Sequence, residues 1–153
     1  MSEEQLKRVL IVEDDPGVRE MIAIALRQKL LLVDEASHGE EALSLLREHQ
    51  YTVLLVDLIM PTMDGLALLG ELDRVPMIHA PVVLVVTGAD RDMISKLDTQ
   101  RIHGVIRKPF DPDDLATLVR ACADIRNRNA LGTMCLATMI AGSSILVLIS
   151  STF

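Results

Sequence analysis

Short apolar runs alternate along this chain with longer segments in which apolar residues recur every three or four positions. The runs lie near residues 7–12, 31–35, 51–56, 82–86 and 103–107. Runs of this length predict buried strands, and the intervening periodicity predicts amphipathic helices. Strands that alternate with helices build βαβ units, whose right-handed crossovers place helices on both faces of a parallel sheet.

Capping residues indicate where the helices begin. Asp15-Pro16 and Asp111-Pro112 each offer an N-cap followed by proline at the first helical position, and 37–40 has the spacing of a capping box. Further helices are expected at 65–74 and 90–100. The predicted fold is α/β: a flavodoxin-like, doubly wound five-stranded parallel sheet of order 2-1-3-4-5, with an extra C-terminal apolar helix.

The length of 153 residues predicts one domain, at 1–128, and a short remainder at 129–153. The net charge of −7 and the lack of a basic stripe argue against a nucleic-acid partner. We also expect no DNA-binding segment after residue 125. Cys122 and Cys135 form no disulfide or metal pattern, which favours a reducing cytoplasm.

Polar residues of particular types stand where the predicted strands end. Glu13-Asp14-Asp15 follows the first strand, Asp57 the third, Thr87 ends the fourth, and Lys108 follows the fifth. The carboxyl ends of parallel strands share one edge of the sheet, so these side chains are expected to converge. Several acids held close together favour a bound cation, and Mg²⁺ suits oxygen ligands.

These motifs, in this order and spacing, resemble the receiver domain of bacterial two-component response regulators. The resemblance covers about residues 6–125 and rests on four pieces of sequence: the acidic cluster 13–15, the segment Asp-Leu-Ile-Met-Pro-Thr-Met-Asp-Gly from Asp57, Thr87-Gly88, and Lys108-Pro109-Phe110. It implies a phosphorelay phosphoprotein in which Asp57 becomes an aspartyl phosphate. The phosphoryl group would come from a sensor histidine kinase or a histidine phosphotransfer protein, and Thr87 and Lys108 would assist catalysis.

The resemblance also implies a Mg²⁺ site and a cis peptide bond at Lys108-Pro109. Asp14 and Asp57 would bind the metal ion directly together with the carbonyl of Ile59, while Glu13 would act through a bound water. Asp15 is expected to cap the helix rather than to bind the metal.

The sequence departs from the family pattern at three places, two of which bear on function. Val105 stands where receivers commonly carry a Tyr or Phe that reports phosphorylation, so signalling through that aromatic is in doubt. Ile59 and Ala89 are both apolar at positions that tune dephosphorylation, which predicts slow loss of the phosphoryl group. The usual glycine between the first helix and second strand is missing from 27–32, which we interpret as a local variation of the loop without functional weight.

The leading interpretation is a stand-alone response regulator receiver that signals through contacts with a downstream protein. It is not expected to be an enzyme in the ordinary sense, although it would catalyse its own phosphorylation and slow dephosphorylation. One alternative is a receiver-like binding module that works without phosphorylation. Another is an aspartyl-phosphate hydrolase of haloacid-dehalogenase type, but that family has a second Asp where Ile59 stands.

The remainder at 129–153 contains no charged residue. Its segment 130–149 is long enough to cross a bilayer as a helix, and Arg120, Arg126 and Arg128 precede it, which favours a cytoplasmic receiver tethered to the inner face of the membrane. The alternatives are a segment that packs in a homodimer or on another subunit, a strand formed by 145–149, a truncated remnant of a longer output region, and disorder.

Overall fold

The computed structural model describes residues 7–98, 100–128 and 145–146. In chain order the elements are β1 (Arg8–Val12), α1 (Pro16–Gln28), β2 (Leu32–Ala36), α2 (Gly39–Glu48), β3 (Val53–Val56), α3 (Gly65–Glu71) with a 3-10 turn (Leu72–Arg74), β4 (Val82–Thr87), α4 (Arg91–Ser95), β5 (Gly104–Arg107), α5 (Pro112–Arg128) and β6 (Ile145–Leu146). The predicted α/β fold is confirmed.

The five parallel strands lie in the order β2-β1-β3-β4-β5, as predicted. Val12 pairs in register with Val56, Val56 with Val85, and Thr87 with Arg107. This register brings the carboxyl ends of the central strands to the same edge. Two-residue β6 adds an antiparallel strand beyond β5, pairing Val105 with Leu146 and Ile106 with Ile145.

Alternate residues of each strand bury into separate cores on the two faces of the sheet. One core joins the strands to α1 and α5 through residues such as Ile11, Leu26 and Leu115. The other joins them to α2 and α3 through residues such as Leu54 and Leu68. Both faces are thus covered, which is why the strands read as continuous apolar runs rather than as alternating ones.

The helix starts follow the capping chemistry with one correction. Asp15 caps α1 and Asp111 accepts from the first backbone N–H groups of α5. At α2 the predicted Ser37/Glu40 box is wrong by one residue: His38 is the N-cap, and the Glu41 carboxylate accepts from Ser37. The box is shifted because the imidazole Nδ1 of His38 serves as acceptor for the Glu41 N–H.

Two helices are shorter than their predicted spans. The α-helical part of α3 ends at Glu71, and its continuation is a 3-10 turn before Val75, which is extended as expected for a residue that precedes proline. Helix α4 covers five residues rather than the eleven of 90–100, and none of its residues is buried. Only Met93 and Ile94 of this helix pack against the core, and both are partly buried, so little burial stabilises a longer helix there.

The loop without the usual glycine carries a backbone cost. Leu30 adopts the left-handed conformation, with φ of 59°, directly after the C-cap of α1 at Lys29. Its side chain is 75% exposed, so it contributes little burial in exchange. This local variation of the loop therefore carries backbone strain at Leu30.

Most of the uncharged remainder lies outside the described residues, and so does the expected C-terminal apolar helix. The membrane-anchor and homodimer interpretations of 130–149 are likewise not described, apart from the pairing of β6. Among the helices that the structure does describe, none is both long enough and apolar enough to cross a membrane.

Candidate functional site

The carboxyl edge of the sheet brings together the polar residues that the sequence places at strand ends. Glu13 follows β1, Asp57 follows β3, and Lys108 follows β5. Backbone bonds continue the sheet past its last residues: the Asp57 N–H donates to the Val12 carbonyl, and the Lys108 N–H donates to the Thr87 carbonyl. The parallel strands therefore position these side chains directly.

Lys108 is the centre of the site. Its Nζ lies 2.8 Å from Asp57 Oδ2 and 2.6 Å from Glu13 Oε2. Both carboxylates are buried, with residue exposures of 5% and 2%. Two buried acids held this close together would repel one another, and the shared ammonium offsets that repulsion.

Burial and charge act in opposite directions on these groups. Burial raises the pKa of Glu13 above its ordinary value, and the bond from Lys108 only partly counters this. For Lys108, burial would lower the pKa, but hydrogen bonds to Asp57 and Glu13 outweigh it and the pKa is raised. The lysine is therefore held firmly in its cationic form.

Three carboxylates form a cluster with the donor chemistry of a divalent cation site. Oxygen atoms of Glu13, Asp14 and Asp57 lie within 4.8 Å of one another, and Asp14 is the most exposed of the three. Hard oxygen ligands with one side open to solvent suit Mg²⁺, which keeps several waters when it binds. The residues present thus fit the expected metal ion.

The backbone around the cluster fixes its geometry. The Ile59 N–H donates to Asp57 Oδ1 at 3.0 Å, and the Asp15 N–H donates to Glu13 Oε1 at 3.1 Å. Asp15 itself turns away to cap α1 through its own carboxylate, as expected. The expected role of the Ile59 carbonyl as a metal ligand stays a prediction.

Thr87 is completely buried at the end of β4. Its Oγ1 accepts a hydrogen bond of 3.1 Å from the Ala89 N–H, which ties the hydroxyl to the loop that follows the strand. Ala89 is itself buried, whereas the Ile59 side chain is 53% exposed. Neither apolar side chain can orient a water molecule by hydrogen bonding.

Gly65 is a site residue that the motif contains but whose role sequence reasoning missed. A Cβ atom there would lie 2.3 Å from the Asp57 carbonyl oxygen and 2.8 Å from Leu58 Cα. Its N–H also donates to the Leu58 carbonyl. The start of α3 thus packs directly on the backbone of the Asp57 turn, and only glycine fits. The Asp64-Gly65 pair beside a helix start is the sequence signal that could have indicated this.

Comparison with known proteins identifies the family. The family model described as the response regulator receiver domain matches residues 9–120. The chain belongs to this family. A receiver domain is a signalling domain of two-component systems, and the matched family is not the haloacid-dehalogenase family considered as an alternative.

Curated relatives are longer than this receiver. It is 32% identical over 133 residues to "Probable transcriptional regulator ycf27" of Guillardia theta, covering 85% of this chain and 50% of that protein. It is 29% identical over 120 residues to "Transcriptional regulatory protein SrrA" of Staphylococcus aureus, covering 74% of this chain and 46% of that protein. The chain therefore spans about half the length of these curated relatives.

Solved receiver structures share the fold. A receiver domain protein (CheY-like) from Methanospirillum hungatei JF-1 matches with a TM-score of 0.73 and 25% identity, covering 81% of this chain and 98% of that one. Response regulator TrrA of Thermotoga maritima, solved in complex with Mg²⁺-BeF, matches with a TM-score of 0.67 and 27% identity, covering 76% of this chain and 99% of that one.

Proposed function

We propose that this receiver accepts a phosphoryl group on Asp57 from a histidine kinase or histidine phosphotransfer protein and signals through contacts with a downstream protein. The observation that carries the proposal is the convergence of Lys108 on Asp57 and Glu13, with Asp14 in the same oxygen cluster. Such a site offers a nucleophile, a cation and ligands for a metal ion in one place.

Asp57 is the proposed nucleophile. With Oδ2 bonded to Lys108 and Oδ1 to the Ile59 N–H, the carboxylate is held in a single orientation. One carboxylate oxygen would form a bond to phosphorus as the bond between phosphorus and the donor imidazole breaks, leaving an acyl phosphate. Positioning of this kind supplies much of the catalysis in phosphoryl transfer.

Glu13, Asp14 and Asp57 are the side chains that would hold Mg²⁺, with the Ile59 carbonyl as a further ligand. When bound, the metal ion would neutralise charge on the phosphoryl oxygens. Lys108 would contribute a second positive charge by moving its ammonium from the Asp57 carboxylate to a phosphoryl oxygen. The Thr87 hydroxyl would donate a hydrogen bond to a different phosphoryl oxygen. This would shift the loop after β4, which is tied to the hydroxyl through the Ala89 N–H.

The test is incubation with acetyl phosphate, and separately with beryllofluoride, in the presence of Mg²⁺. Wild type should gain one phosphoryl group by mass spectrometry and show a fluoride-dependent change in its amide NMR spectrum. Asp57→Asn should do neither. If wild type gains no phosphate and shows no spectral change, the binding module that works without phosphorylation becomes the better account.

For the uncharged segment at 129–153 we propose a role apart from phosphoryl chemistry, as an anchor to a membrane or as a contact with a second copy. Ile145 and Leu146 pair with β5 of the same chain, which favours packing of this segment on protein without indicating a second copy, whereas the uncharged length of 130–149 favours the anchor. Fractionation of cells without detergent discriminates between them: recovery in the membrane pellet supports the anchor, and recovery as a soluble dimer supports the contact.

A further inference from the structure

Arg19 reaches from α1 over the loop that carries two of the acidic residues. Its Nη1 donates to the Glu13 carbonyl at 2.8 Å and lies 3.5 Å from the Asp14 carbonyl. Its Nε forms an ion pair of 3.7 Å with Glu35 at the end of β2. The side chain is 19% exposed. One guanidinium thus joins α1, the β1–α1 loop and the neighbouring strand.

The position of those carbonyls matters because they belong to residues whose carboxylates point into the oxygen cluster. Fixing a carbonyl fixes the peptide plane, and therefore the direction in which the adjacent Cα–Cβ bond leaves the chain. Mg²⁺ requires near-ideal octahedral geometry, so small displacements of its ligands weaken binding. A planar guanidinium can hold two acceptors at once, which an ammonium on a flexible stem does less well.

We propose that Arg19 is a positioning residue for the divalent-metal site. It holds the backbone of Glu13 and Asp14 so that their carboxylates meet that of Asp57, and it thereby sets the affinity for Mg²⁺. This inference rests on the proposed function, since it assigns Arg19 a part in preparing Asp57 for phosphorylation.

Arg27 provides a matched control. It lies on the same helix and pairs with the same Glu35 carboxylate, Nη2 to Oε2 at 3.1 Å, but its described bonds include none to the acidic loop. Arg19→Gln and Arg27→Gln therefore remove the same charge and each remove one partner of Glu35. Only the first removes the bonds to the loop carbonyls.

The experiment measures the Mg²⁺ dissociation constant by calorimetry without any phosphoryl donor, together with thermal unfolding in the absence of Mg²⁺. Arg19→Gln is expected to weaken Mg²⁺ binding about 10-fold or more, and Arg27→Gln by less than about twofold. Arg19→Lys should recover part of the affinity, because an ammonium can still donate to one carbonyl. The acetyl phosphate reaction of Arg19→Gln should approach the wild-type rate at saturating Mg²⁺. Its unfolding temperature without Mg²⁺ should match that of Arg27→Gln, which separates a loss of metal affinity from a folding defect, because Mg²⁺ itself stabilises the folded state.

Equal Mg²⁺ affinities for Arg19→Gln and Arg27→Gln would overturn the inference. If the glutamine variant does not fold, Arg19→Lys is compared with Arg27→Lys, and equal affinities for that pair would overturn it as well. A wild-type protein that binds Mg²⁺ but accepts no phosphoryl group would instead overturn the proposed function, leaving the affinity comparison to decide the role of Arg19.

Discussion

Replacing Gly65 by alanine should damage the site through the backbone that supports Asp57. The added Cβ would lie 2.3 Å from the Asp57 carbonyl oxygen, and a separation of 3.0 Å is the shortest that ordinary Cβ atoms show. The Asp57 turn and the start of α3 must therefore move apart by about 0.7 Å or more. Because the opposing atoms are backbone, no side-chain rotation can relieve the contact.

The cost should appear in two independent measurements. Overpacking of this kind costs about 1–3 kcal/mol, and the upper end is expected here, so urea unfolding should show a lower midpoint with an unchanged slope. A displacement approaching 1 Å at a nucleophile can reduce its reaction rate about 100-fold. The rate of phosphorylation by acetyl phosphate should fall accordingly.

Gly70 is the control on the same helix. A Cβ atom there would meet nothing within 4 Å, and the residue is exposed. Gly70→Ala should therefore leave phosphorylation unchanged and stabilise the helix by about 0.5–1 kcal/mol. Equal stabilities and equal phosphorylation rates for the two alanine variants would refute the argument that Gly65 is required by its close approach to Asp57.

Three further predictions concern other parts of the domain. Leu30→Gly should raise the free energy of unfolding by about 0.5–1 kcal/mol in urea titrations, because it relieves a left-handed φ at an exposed side chain; a loss of stability would contradict this. Burial would raise the pKa of Asp34, but hydrogen bonds from Tyr51 and Arg8 outweigh burial, and the pKa is lowered. The ionised Asp34 carboxylate therefore stabilises the fold fully above about pH 3.9, the ordinary pKa of Asp, and this stabilisation is lost as the pH falls through the lower folded pKa. Asp34→Asn should thus lower the free energy of unfolding by about 1 kcal/mol at pH 7. Plotted against pH, the free energies of unfolding of wild type and variant should converge at low pH, and a constant difference would refute the assignment. With apolar residues at 59 and 89, the acyl phosphate should decay over minutes or longer in a radiolabel chase, and decay within seconds in wild type would contradict this prediction. The acyl phosphate of an Ala89→Glu variant should decay faster, because the added carboxylate can orient an attacking water.

Much of the fold could be predicted because its signals are local. Apolar runs located the five parallel strands, and Asp-Pro pairs located the starts of α1 and α5, since a cap acts within two or three residues of itself. Where two neighbouring residues can both cap a helix, the predicted position was wrong by one residue: His38 caps α2 in place of Ser37. Where local burial was thin the prediction was too long, as at α4, whose length depends on what packs against it.

The sequence by itself determined which chemical groups stand at strand ends: acids after β1 and β3, a hydroxyl at the end of β4 and a lysine after β5. Only the tertiary structure decided how they meet, because Lys108 bonds to partners 51 and 95 residues away. Those contacts depend on strand register. The roles of Gly65 beneath Asp57 and of Arg19 over the acidic loop also depend on the tertiary structure. They arise from how α3 and α1 pack against the ends of the strands. Periodicity encodes which face of an element is buried, but not which atoms it touches.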